Sequence, residues 1–84
     1  MDIDQARTFL AIAAHGSFLE AAKRLHVTQS TVSARIQNLE SELGARLFVR
    51  NRAGASMTAA GQRFLQHAIL NHKGPALARP LSAV

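Results

Sequence analysis

The stretch from Thr28 to Gly44, TQSTVSARIQNLESELG, leaves this chain little freedom, because it carries a helix start, an apolar stripe, a polar opposite face and a stop. The Thr28 hydroxyl suits an N-cap, accepting an otherwise unpaired N–H of the first turn, and Gly44 suits the left-handed residue that ends a helix. Val27 before the cap and Val32 beyond it have the spacing of a hydrophobic staple. Val32, Ile36, Leu39 and Leu43 recur at helical spacing and predict one buried seam. At about 100° per residue, the opposite face carries Ser30, Ala34, Gln37 and Ser41, with Gln29 and Ser33 beside it. That face is uncharged, and most of it can hydrogen-bond. Glu40 and Glu42 lie toward the C-terminal end, where they oppose the helix dipole and repel a polyanion. A phosphate-bearing partner is therefore expected at the N-terminal half.

The flanking residues supply helices to support this one. Asp4 opens a first helix, with Ile3, Ala6, Leu10 and Ala13 on one side and Phe9 adjoining, and His15-Gly16 marks its end. Ser17 and Glu20 have capping-box spacing, and Phe18, Ala21, Ala22 and Leu25 form the buried stripe of a short second helix. Only His26-Val27 separate Leu25 from the Thr28 cap, so the second and third helices meet at a steep angle. These are the ingredients of a helix-turn-helix, although the common turn glycine is missing. Residues 45–50 read as a linker and short extended segment, Asn51-Arg52-Ala53-Gly54 as a turn, and residues 55–57 as a second short segment. This predicts a small β-wing leaning on the helices through Leu47, Phe48 and Met57. Thr58 caps a fourth helix through about His72, where Phe64, Leu65, Ala68 and Ile69 make an apolar face expected to pack on a second copy of the chain. Gly74-Pro75 breaks that helix, and residues 76–84 show no periodicity.

Charge points to a kind of partner. The net charge of +5 is one-sided: residues 1–44 hold four basic and five acidic side chains, residues 45–84 six basic and none acidic. A cationic half favours a polyanion, nucleic acid before membrane, since no strongly basic amphipathic helix accompanies it. The chain lacks cysteine, which removes disulfides and thiolate metal sites and fits a reducing cytoplasm. The acidic opening Met-Asp-Ile-Asp is unlike a secretory leader, and the longest apolar run, Phe9 to Ala14, is far below the roughly 20 residues that span a bilayer. A soluble, cytoplasmic, nucleoid-associated protein is expected.

Taken together, Ser17-Phe18, Ala21-Ala22, Leu25 to Ser30, Val32-Ser33, Leu39-Glu40, Leu43-Gly44, Leu47-Phe48, Arg50 and Thr58-x-Ala60-Gly61 resemble the N-terminal DNA-binding domain of LysR-type transcriptional regulators over about residues 1–70. The resemblance implies a mainly α fold with a small β-wing: a winged helix-turn-helix with a three-helix core, a two-stranded wing and a fourth linker and dimerisation helix. Its domain would span residues 1–60 with the helix-turn-helix at about 18–37, the linker helix would begin at 61–73, and 74–84 would form an irregular tail. It further implies a homodimer on inverted-repeat operator DNA, the third helix in the major groove and the wing on the backbone or minor groove. Carried over by position, Thr28, Gln29, Ser30, Ser33, Arg50 and Arg52 are contact candidates. Two departures stand at contact positions, since many family members have proline where Ser30 stands and a basic residue where Ala34 stands. The chain stops at Val84, so no effector-binding domain, small-molecule effector or cofactor is expected of this polypeptide.

Each candidate has two readings. Gln29 and Ser30 sit where side chains and free N–H groups reach base edges and phosphate together, or they are ordinary solvated helix-start residues. Ala34, beside Gln37 on the outward face, meets a thymine methyl or is simply a good helix former. Arg35 lies nearer the core seam, which favours a phosphate contact or an intramolecular ion pair over guanine readout. Arg50 and Arg52 on a glycine-containing turn suit phosphate or minor-groove contact, or a solvated basic loop. An enzyme is disfavoured: His67 and His72 diverge on a helix, Glu40 and Glu42 face different ways, and there is no glycine-rich phosphate loop. A further alternative is heterodimerisation with full-length regulators instead of direct DNA binding.

Overall fold

Asp2 fixes where the first helix begins: its side chain accepts from the Gln5 N–H at 2.7 Å while Gln5 Oε1 accepts from the Asp2 N–H at 3.1 Å, a closed capping box. In the computed structural model, which describes residues 2–68, this starts α1 (Ile3–His15), followed by α2 (Phe18–Leu25), α3 (Gln29–Leu43), β1 (Phe48–Asn51) and β2 (Gly54–Met57). Residues 59–68 are helical and form the described part of α4. The helix therefore opens at Asp2 rather than at the expected Asp4. Its buried side also differs, comprising Gln5, Ala6, Thr8, Phe9 and Ile12, with Ile3 64% exposed. Two polar residues are buried because each finds a partner: Thr8 Oγ1 donates to the Asp4 carbonyl at 2.7 Å, and Gln5 Nε2 donates to Glu42 at 3.2 Å. The Gln5 bond also holds the Glu42 carboxyl below its ordinary range.

Ser17 caps α2 by accepting from the Glu20 N–H, while the Glu20 carboxylate turns to Lys23 at 3.5 Å instead of completing the box. The turn that follows works without glycine. His26 takes the left-handed conformation itself, φ 59° and ψ 42°, and its N–H bonds back to the carbonyls of Ala22 and Lys23. Thr28 then caps α3 through the Thr31 N–H, and Gly44 ends it in the left-handed region.

The three helices pack on one another around Phe9, Ile12, Phe18, Ala21, Ala22, Val32, Ile36 and Leu39, with Leu47 and Phe48 closing the core from below. The four phenylalanines of the chain make one row. Phe64 meets Phe9 edge-on at 4.9 Å, Phe9 tilts on Phe48 at 5.2 Å, and Phe48 meets Phe18 edge-on at 5.9 Å, geometries that the ring quadrupoles favour. The predicted seam of α3 is buried at Val32, Ile36 and Leu39, but Leu43 is 44% exposed. A stripe is covered only as far as the neighbouring elements reach.

The wing is a two-stranded antiparallel ladder in which Phe48 faces Met57 and Asn51 faces Gly54, leaving Arg52-Ala53 as a two-residue tip. Strands this short need outside support, and they have it. The Ala55 N–H donates to the Gly16 carbonyl at 2.9 Å and the Leu47 N–H donates to the Glu40 carboxylate at 2.8 Å, while the Thr58 N–H, donating to the Leu47 carbonyl at 3.0 Å, adds one more rung to the hairpin itself. At Gly54, φ 136°, and at Gly61, an added Cβ would overlap the backbone oxygens of Gly16 and Leu47 respectively.

Candidate nucleic-acid interface

The outward face of α3 gathers most of the expected contact residues. Gln29, Ser30, Ser33, Ala34 and Gln37 line one shallow concavity, and Arg50 from β1 forms its rim. Helical pitch brings the first five together, and the wing ladder delivers the sixth from the far side. Gln29, Ser30, Ala34 and Gln37 are exposed and Ser33 is half-buried. The floor is therefore a set of neutral donors and acceptors with one cation beside it.

The remaining candidates lie elsewhere. The Thr28 side chain is engaged as the helix cap and shares a 2.9 Å hydrogen bond with the Thr31 hydroxyl. Arg35 lies on the flank toward α1, where its Nη1 donates to Thr8 Oγ1 at 3.3 Å; the partner is a hydroxyl rather than an acid. Arg52 occupies the exposed wing tip. Of the expected dimerisation face, Phe64 meets Phe9 edge-on and Leu65 packs against the core, both staying partly exposed, and Ala68 is 2% exposed. Phe64 forms the end of the phenylalanine row. Ile69 lies outside the described residues.

Glu40 has a role that its place in the sequence did not suggest. Its Oε2 accepts from the Leu47 N–H at 2.8 Å and the Phe48 N–H at 3.4 Å, with Arg46 Nε 3.7 Å away. It joins α3 to β1, and its charge is paired instead of standing against a polyanion. Phe18 is the other unforeseen member: the Arg50 guanidinium lies over its ring, 4.1 Å from the centroid. The two residues are remote in sequence, and no local pattern joins them.

A family model, that of the bacterial regulatory helix-turn-helix proteins of the lysR family, matches residues 3–62. The chain belongs to the LysR family. Among its LysR-type relatives, the transcriptional regulator TfdT of Cupriavidus pinatubonensis is 44% identical over 68 residues, which is 81% of this chain and 30% of TfdT. YofA of Bacillus subtilis is 44% identical over 68 residues, 81% of this chain and 24% of its own. The chain thus spans less than a third of these regulators. Among solved structures, the CbnR DBD–DNA complex superposes with a TM-score of 0.81 at 40% identity, covering 99% of this chain and 98% of that one. The BenM DBD/catB site 1 DNA complex gives 0.83 at 32% identity, covering 99% and 93%. The winged helix-turn-helix architecture of LysR DNA-binding domains is therefore the fold of this chain, and no described helix is long and apolar enough to cross a membrane.

Proposed function

We propose that this domain binds double-stranded DNA sequence-specifically as the DNA-reading part of a LysR-type transcriptional regulator, with α3 in the major groove and the wing on the backbone or minor groove. The observation that carries this is the α3 concavity, neutral hydrogen-bonding residues with Arg50 at the rim. Neutral side chains at a helix N-terminus suit base edges, where glutamine pairs bidentately with adenine and a serine hydroxyl serves several bases. Ala34 offers a methyl to thymine. Arg50 and Arg52 suit phosphate or the minor groove. Arg35 and Thr28 belong to the supporting framework, because Thr8 and the helix cap engage them. The solved complexes of the CbnR and BenM domains with DNA support this assignment. The domain acts as a cytoplasmic binding module, not an enzyme.

Homodimerisation through the fourth helix belongs to the same proposal, on surface other than Ala68, which the domain's own core covers. Selection from random duplexes, followed by gel shift at two salt concentrations, tests the function. An inverted repeat bound more tightly at low salt is the expected result, and no enrichment at low salt overturns it. Sedimentation with and without the selected duplex reports whether two copies assemble on it.

A further inference from the structure

Three arginines approach α3 or its junction with the wing, and two of them are engaged by the fold. Arg35 is held by Thr8, and Arg46 by Glu40 at 3.7 Å and by the Phe48 carbonyl at 3.3 Å. Arg50 is held differently. Its guanidinium carbon sits 4.1 Å from the centre of the Phe18 ring, its Nη1 reaches Ser33 Oγ at 3.5 Å, and no carboxylate pairs with it among the described residues. Phe18 is itself fixed, 7% exposed at the start of α2 and edge-on to Phe48. A rigid ring from the helix-turn-helix thus lies under an exposed cation from the wing, at the rim of the α3 concavity.

We infer that Phe18 is a positioning residue for DNA binding, an aromatic shelf that holds the Arg50 guanidinium beside the α3 face so that its N–H groups meet a phosphate or base edge there. This rests on the DNA-binding function proposed above. An arginine that samples its rotamers freely loses that freedom when it binds, whereas one already resting on a ring has lost it on folding. Stacking covers one face of the guanidinium and leaves the in-plane donors available, and only one of its nitrogens is used at Ser33. The shelf also fixes direction: with Phe18 of α2 beneath it and Ser33 of α3 beside it, the wing cation is tied to both helices of the helix-turn-helix.

The test uses the full 84-residue chain and its selected duplex, at a temperature where each variant's circular dichroism matches the wild type. Phe18→Leu should weaken binding about two- to ten-fold, the range expected when one long side chain must be ordered on binding instead of on folding. Replacing Phe18 by 3,4,5-trifluorophenylalanine keeps its bulk but drains the ring face, and should weaken binding in the same direction by a smaller factor. Neither change should alter the salt slope, since Arg50 stays charged, whereas Arg50→Gln should flatten it by about one. With Arg50→Gln in place, both Phe18 changes should matter less than about two-fold, as a shelf with nothing on it has no effect on binding. Equal losses in that background, or no loss on fluorination, overturn the inference and leave Phe18 an ordinary core residue. If the wild-type chain binds no duplex, the proposed function fails first; if it binds and the Phe18 series is flat, only this inference falls.

Discussion

His26 holds a backbone conformation that most side chains avoid, and holds it at the corner between α2 and α3. The left-handed region costs a residue with a Cβ about 1–2 kcal/mol, while glycine there carries an extra unfolded-state entropy of about 0.5–1 kcal/mol. The difference favours glycine, so His26→Gly should raise stability by about 0.5 kcal/mol in urea denaturation, with DNA affinity unchanged. Gly54 poses the opposite problem. A Cβ there would meet the Gly16 carbonyl oxygen, which already accepts from Ala55, and Gly54→Ala should cost about 2 kcal/mol or more by the same measurement. The caps of α2 and α3 were readable from the sequence because capping is local chemistry among residues three apart. The left-handed His26 was not, since the usual signal is a glycine and this turn has none.

Along α3, the agreement between sequence and structure follows the reach of the neighbouring elements. Val32, Ile36 and Leu39 are buried as their spacing predicts, and Leu43 is not. In α1 the apolar period misplaced the buried side, because Gln5 and Thr8 are satisfied by Glu42 and by the Asp4 carbonyl with Arg35, contacts that a count of apolar residues cannot anticipate. On the fourth helix, Phe64 joins the phenylalanine row of its own domain and Ala68 is covered, while Phe64 and Leu65 stay partly exposed, which the apolar pattern alone did not apportion. The joint between α3 and β1 depends on Glu40. Glu40→Ala leaves the Leu47 N–H, now buried, without its acceptor, and should cost about 1–3 kcal/mol. DNA affinity should fall along with it, because the wing then loses its fixed bearing relative to α3. Glu40→Gln, which retains an acceptor, should recover most of both losses in denaturation and gel-shift measurements.

On the proposed function, the domain taken as one surface separates recognition from grip. The concavity of α3 was largely readable in advance, since one face of one helix contains it; the placement of Arg50 on Phe18 was not, because only the folded ladder brings them together. On the proposed function, Gln29→Ala should cost about 1–3 kcal/mol on the selected site and little on random duplex. Arg52→Ala should weaken binding to both and flatten the salt slope by about one. If the two variants behave alike on random DNA, that separation is wrong. The mooring of the hairpin carries one more consequence. Its strands are fixed to the helices at Gly16 and Glu40, and only Arg52-Ala53 projects beyond the ladder. If the domain binds DNA as proposed, residues added between Arg52 and Ala53 should widen the footprint on the selected duplex, because the anchors at Gly16 and Glu40 lie away from the tip and hold the strands where they are.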